Sequence, residues 1–173
     1  MKRILGALYL SISICLLSYG AFLIHERTAP IPTEQNNSLA PFHDSVFQLK
    51  IPSSHIALPV YSASITGTSW QTTKRGVSYL STSPLPGEQG NSVLYGHNWP
   101  NLLKPLHTVK PGDSIFITRS GRTTRFIVRY VTVVEANEHS IYAASTKTKL
   151  TIYTCTGFLD TKRLVVTAFP ELL

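Results

Sequence analysis

Leu150-Thr151-Ile152-Tyr153-Thr154-Cys155 is a run of β-branched and aromatic residues that ends on a cysteine. Such a composition reads as a strand, and a strand end is a rigid mount for a reactive side chain. Cys155 is the only cysteine outside the apolar N-terminus; Gly96-His97 lies upstream and Arg163 downstream. A nucleophile, a base and a cation are thus available to one domain, and these are the parts of a cysteine acyl-transfer site.

Similar short runs recur on both sides, at residues 46–51, 56–61, 77–80, 92–97, 114–118, 124–135 and 164–169. With 150–155 they make eight candidate strands, rich in Val, Ile, Thr and Tyr and separated by Gly, Pro, Ser and Asn. That pattern predicts an all-β barrel or sandwich. The one helix candidate in this region is 102–108, kept short by Pro105 and followed by the turn Lys110-Pro111-Gly112-Asp113. Ser83-Pro84-Leu85-Pro86-Gly87 reads as a stiff turn before the His97 strand. No internal repeat is visible.

At 173 residues and 43% apolar content the chain can bury one core. Residues 4–24 form a charge-free apolar run, as long as the roughly 20 residues that cross a bilayer as a helix. Lys2 and Arg3 precede it, so the N-terminus is expected inside and the domain outside. Ser18-Tyr19-Gly20 offers the rival reading of a cleaved signal peptide, but the apolar run continues past it to Ile24. Residues 26–44 carry Pro30, Pro32 and Pro41 among polar residues and read as a spacer. The expected organisation is a cytoplasmic tip and membrane anchor at 1–25, an extended linker at 26–45 and a catalytic domain at 46–173. The net charge of +7 is scattered, without a dense basic stretch interleaved with aromatics, so nucleic acid is not an expected partner. Cys15 lies within the apolar run, so no disulfide framework is expected.

The stretch from Pro86 to His97 (PGEQGNSVLYGH), then Pro111-Gly112-Asp113-Ser114-Ile115, Thr151-Ile152-Tyr153-Thr154-Cys155 and Arg163-Leu164-Val165-Val166-Thr167-Ala168, resembles the sortases in motif and in order. The signature strand departs only in having Ile152 where the family has Leu. The resemblance implies an eight-stranded sortase β-barrel with His97, Cys155 and Arg163 as the catalytic residues and Thr154 lining the site. The compact connection before the Cys155 strand, which contains Ile141 and Tyr142, is closer to the class D or E pattern than to class A, and both residues are candidate substrate contacts.

The chemistry follows from residue types as well. An ordinary thiol is mostly protonated at neutral pH, so a catalytic cysteine needs a neighbouring cation or imidazolium, and His97 and Arg163 are the candidates. Arg163 can also steady an oxyanion with a fork of donors that lysine lacks. Each has an ordinary alternative: Cys155 as a small buried hydrophobe, His97 as a strand-end histidine, Arg163 as a solvated flanking charge. The other histidines, at 25, 43, 55, 107 and 139, carry no assigned role. Trp70 and Trp99 read as packing residues, although Trp99, two positions after His97, is also a candidate wall of the site. No cofactor is implied. No metal is expected either, since the chain lacks a second cysteine or a histidine pair at ligand spacing, and Glu135 and Glu138 are too few for calcium.

A papain-like hydrolase would place its cysteine before its histidine, and the Ser-x-Gly-Cys motif of an L,D-transpeptidase is absent. The expected function is therefore cleavage of a Leu-Pro-x-Thr-Gly-like sorting signal on secreted proteins through a Cys155 thioester. Transfer then goes to an amine acceptor such as a peptidoglycan precursor. Two alternatives stand beside it: polymerisation of pilins, and a non-catalytic membrane-tethered barrel that binds peptide or cell-wall polymer. Anchoring is favoured over polymerisation because no long lid precedes the domain and no second membrane helix follows it in this sequence.

Overall fold

Leu150 to Cys155 lie in the strand β9, Lys149–Thr156, in a computed structural model that describes residues 2–31, 45–66 and 69–171. Contacts divide the chain into a helical unit, Met1–Pro30, and a second unit, Ile31–Leu173. The first is the single helix α1, Lys2–Thr28. Its segment Tyr9–Thr28 is long and apolar enough to cross a membrane. The helix runs three residues past the expected anchor boundary at 25, because Glu26-Arg27-Thr28 contains no breaker. Pro30 ends it by disfavouring helical geometry at Ala29. His25 and Arg27 lie in the last turn, where cations suit the helix dipole. Most of the expected linker, residues 32–44, lies outside the described residues.

The second unit is built on a closed barrel. Its strands are β1 Ser45–Ile51, β2 Ile56–Ala63, β5 Val77–Leu80, β6 Asn91–Gly96, β7 Ser114–Arg119, β8 Arg122–Glu135, β9 and β10 Lys162–Pro170, in the order β1-β2-β5-β6-β9-β10-β8-β7. All eight expected strands are present. Neighbours are antiparallel except β2 with β5 and β6 with β9, which are parallel. A small hairpin unforeseen from the sequence, β3 Ile65–Thr66 with β4 Ser69–Trp70, lies in the first parallel crossover. Two-residue strands are too short to carry an alternating pattern. The β7–β8 turn places Ser120 and Gly121 at positive φ, the geometry that joins twisted strands through two residues.

Alternation sorts the side chains. Leu94 on β6 and Leu150 and Ile152 on β9 enter the main core with Leu49, Ile51, Val60, Ile115 and Phe126. Ile152 is fully buried, so its branched shape is absorbed by packing. Val93 and Tyr95 point the other way, into a second cluster on the outer face. The expected helix at 102–108 is a 3-10 segment, Lys104–Thr108, with Pro105 in its first turn. Leu102, Leu103 and Leu106 from this connection pack into the main core.

Candidate active site

Three strand ends converge. The parallel register of β6 and β9 sets Gly96 beside Thr154, and the antiparallel register of β9 and β10 sets Cys155 directly opposite Arg163. Directly opposed residues share a face of the sheet. Cys155 and Arg163 therefore emerge on the same side, and His97 follows Gly96 at the end of the adjoining strand. All three line one cleft of about 550 Å³ on the outer face of the barrel.

Thr154 does not line that cleft. It is 1% exposed, and its hydroxyl donates to the Gly96 carbonyl at 2.9 Å. The reason is strand alternation: Thr154 shares its face with Leu150 and Ile152, toward the interior, while Cys155 shares the other with Tyr153. The hydroxyl fastens the ends of β6 and β9 together where His97 and Cys155 leave them. Gly96 is small for a related reason, since a Cβ there would come within 3.2 Å of Leu103.

Trp99 is also absent from the cleft lining. Its ring stacks on the His97 imidazole, centroids 4.6 Å apart and planes 14° from parallel, with the Lys74 ammonium 5.9 Å from the indole centroid. It packs against the main core and covers one face of the imidazole. Ile141 and Tyr142 both line the cleft.

The floor is aromatic. Tyr95 and Tyr153 stack with centroids 5.5 Å apart, and Trp70 meets Tyr95 edge-on at 5.2 Å and Tyr142 at 5.3 Å. The Tyr95 hydroxyl donates to the Gln71 carbonyl at 2.7 Å, tying the segment after β4 to the floor. Trp70, read from sequence as a packing residue, thus lines the cleft as well. Tyr95 and Tyr153 were missed as site residues. Their signal was the period of two that places each beside a candidate, Tyr95 two before His97 and Tyr153 two before Cys155.

The lip is the β8–β9 connection, which carries a 3-10 turn, His139–Tyr142. Asn137, Glu138 and His139 line the cleft from here. The Glu138 carboxylate accepts from the Ser140 N–H at 2.9 Å, and the His139 Nδ1 is hydrogen-bonded to the Tyr142 hydroxyl. Asn91, 2% exposed, holds the lip from below. Its amide nitrogen donates to the carbonyls of Ile141 (3.0 Å) and Ala143 (3.1 Å), and its oxygen accepts from the Thr151 hydroxyl at 2.7 Å.

Burial pushes the Cys155 thiol above its ordinary pKa; Arg163 offsets part of that rise and Asp160 adds to it. The thiol is thus the dominant form of the isolated side chain at neutral pH, and a thiolate forms only where a cation balances its desolvation. Arg163 is held in place by its own turn: Nη1 donates to the carbonyls of Asp160 (2.8 Å) and Lys162 (2.9 Å). Leu159 and Asp160 have φ of 51° and 59°, left-handed values that cost non-glycine residues energy and aim the turn's carbonyls. Burial raises the Tyr153 phenol and lifts Tyr95 to about 12, so the floor is uncharged. Among the described residues no three His, Cys, Asp or Glu side chains group as metal ligands.

A half-buried thiol, an imidazole and a guanidinium in one aromatic-floored groove can carry out nucleophilic acyl transfer on an extended peptide. A family model described as a sortase domain matches residues 49–171. No curated protein sequence matches. Among solved structures, a sortase C from Clostridium perfringens SM101 is 29% identical, with a TM-score of 0.63 over 75% of this chain and 71% of that one. A sortase A from Corynebacterium diphtheriae is 28% identical, with a TM-score of 0.63 over 75% of this chain and 61% of that one. A sortase A from Listeria monocytogenes shares the fold, with a TM-score of 0.64 over 75% and 88% of the two chains at 24% identity.

Proposed function

The chain belongs to the sortase family, and from that premise we propose that it is a membrane-anchored cysteine transpeptidase whose catalytic residues are Cys155, His97 and Arg163. Its substrate in this reading is a secreted protein with a Leu-Pro-x-Thr-Gly-like signal, and its acceptor is an amine of the cell-wall precursor. The observation that carries the reading is the register that opposes Cys155 to Arg163 in the cleft that His97 also lines.

The steps follow from the side chains. The Cys155 thiolate adds to a peptide carbonyl carbon, and the charge moves to the carbonyl oxygen, where Arg163 donates to it. Collapse breaks the C–N bond as His97 gives its proton to the leaving amine, which yields a thioester on Cys155. An incoming amine then adds to the thioester carbonyl, neutral His97 takes its proton, and the C–S bond breaks to return the thiolate. Burial holds the Cys155 thiol above its ordinary pKa, so most of the free enzyme carries the neutral thiol at neutral pH. An extended signal peptide suits a groove with an aromatic floor, where backbone hydrogen bonds supply affinity and pockets supply selectivity. The helix α1 would anchor the enzyme, and Lys2 and Arg3 would hold its N-terminus inside.

The test is a panel of signal peptides incubated with the full chain in detergent, with and without an amine acceptor. Cleavage that becomes amide transfer when the amine is added, absent in Cys155→Ala, supports the reading. Peptide binding without cleavage in the wild type would return it to a binding module.

A further inference from the structure

The strand β8 is fourteen residues long, and its two neighbours cover it unequally. β10 pairs with it from Phe126 to Glu135, with a bulge at Arg129, which has no directly opposed residue on β10. β7 pairs only from Arg122 to Ile127. Beyond that, the turn after Lys110 reaches just Val128, whose N–H donates to the Asp113 carbonyl and whose carbonyl accepts from Gly112, both at 2.9 Å. Residues 129–135 therefore have no strand on their second edge among the described residues. The overhang is apolar for a solvated edge: Tyr130 is 61% and Val133 56% exposed. A bare strand edge is a template for another strand.

We propose that residues 129–135 form a homodimer contact, in which two copies of the edge pair antiparallel about a two-fold axis at Thr132. The sequence Arg-Tyr-Val-Thr-Val-Val-Glu is self-complementary about that centre. Tyr130 then faces Val134 of the second copy, Val131 faces Val133 and Thr132 faces itself, while Arg129, at the bulge that closes the regular stretch, lies across from Glu135. Opposite charges, an aromatic with a β-branched residue, two valines and two threonines are each favourable directly opposed pairs, and the two-fold axis repeats the unlike ones.

The register is singled out by its ends. Centring on Val131 would need Val128, whose backbone is already engaged, and would set Arg129 opposite Val133. Centring on Val133 would carry Arg129 beyond the paired stretch and put Glu135 opposite Val131. Only the Thr132 centre uses the whole free edge and neutralises both charges. The existing Glu135 to Lys162 contact is long, 3.7 Å, and exposed, so it leaves the carboxylate available to a second partner. An unrelated extended peptide would gain the same backbone bonds but has no reason to match an arginine at one end and a glutamate at the other.

The experiment measures self-association of the full chain in detergent by light scattering, for wild type, Arg129→Glu, Glu135→Arg and the double exchange. Wild type is expected to form a dimer. Each single reversal, on an exposed side chain, sets like charges opposite each other and weakens the dimer by roughly tenfold or more. The double exchange recovers it, a result that a general loss of folding or association through α1 would not give. Thr132→Cys, with Cys15 and Cys155 replaced by serine, should oxidise to a disulfide dimer, whereas Thr123→Cys in the same background should not. A monomeric wild type, a dimer indifferent to the single reversals, or a failure of the double exchange to restore it would each overturn the proposal. Capture of an added extended peptide at this edge by a monomeric wild type would assign the surface to a different partner and refute the dimer.

Discussion

Replacing Arg163 with lysine separates charge from geometry at the point where the proposed mechanism depends on geometry. One guanidinium nitrogen, Nη1, already serves the carbonyls of Asp160 and Lys162, and the turn makes no use of Nε and Nη2 on this side chain, which lines the cleft. A guanidinium has five N–H donors in a planar fork; an ammonium has three on one atom. A lysine that keeps both turn carbonyls satisfied has one donor left, drawn toward the turn. Loss of an oxyanion donor costs about 100- to 1,000-fold in rate, about 3–4 kcal/mol. Arg163→Lys should therefore lower kcat/KM for a signal peptide by about 100-fold or more. The alkylation rate of Cys155 by iodoacetamide should change little, because a cation still stands opposite the thiol. The assay is cleavage of a quenched fluorescent peptide by the full chain in detergent, read beside alkylation by mass. A kcat/KM within roughly threefold of wild type, under 1 kcal/mol, would refute the oxyanion role of Arg163.

Burial is the first cause of the raised Cys155 pKa, so the thiolate forms only as pH rises past the ordinary cysteine range near 8.5. Its alkylation rate should climb with pH about a midpoint above that range, and Arg163→Gln, which removes the lowering cation, should move the midpoint higher; a midpoint at or below the ordinary value contradicts this. Asn91→Ala removes three hydrogen bonds under the lip, each worth about 1 kcal/mol. KM should rise with kcat and Cys155 alkylation nearly unchanged, and Tm should fall by several degrees; a loss confined to kcat would mean that the lip does not hold peptide. Deleting residues 1–27 should release a soluble, active domain, whereas an insoluble product would make the apolar run part of the catalytic fold.

The barrel was legible because its strands are rich in β-branched residues and punctuated by turn residues, as in 77–80 and 150–155. What was not legible depends on contacts distant in sequence. The lip from Asn137 to Tyr142 has no period, and its backbone is held from below by Asn91, fifty residues upstream of Ile141. The hairpin at Ile65 and Trp70 is too short for a pattern, yet it brings Trp70 to the cleft floor. Thr154 is instructive in the opposite sense. Resemblance suggested a site-lining hydroxyl, while the simple alternation of β9 already turned it toward Ile152 and away from Cys155. The same alternation put Tyr153 on the reactive face, a reading available from the sequence alone.

The central claim is a covalent thioester on Cys155, and intact-mass spectrometry of the full chain in detergent tests it most directly. Incubation with Leu-Pro-x-Thr-Gly-type peptides should add the mass of the acyl fragment to wild type, an added amine should discharge it, and Cys155→Ala should stay unmodified. No adduct from any peptide while Cys155 still reacts with iodoacetamide, or an equal adduct on Cys155→Ala, would contradict the account.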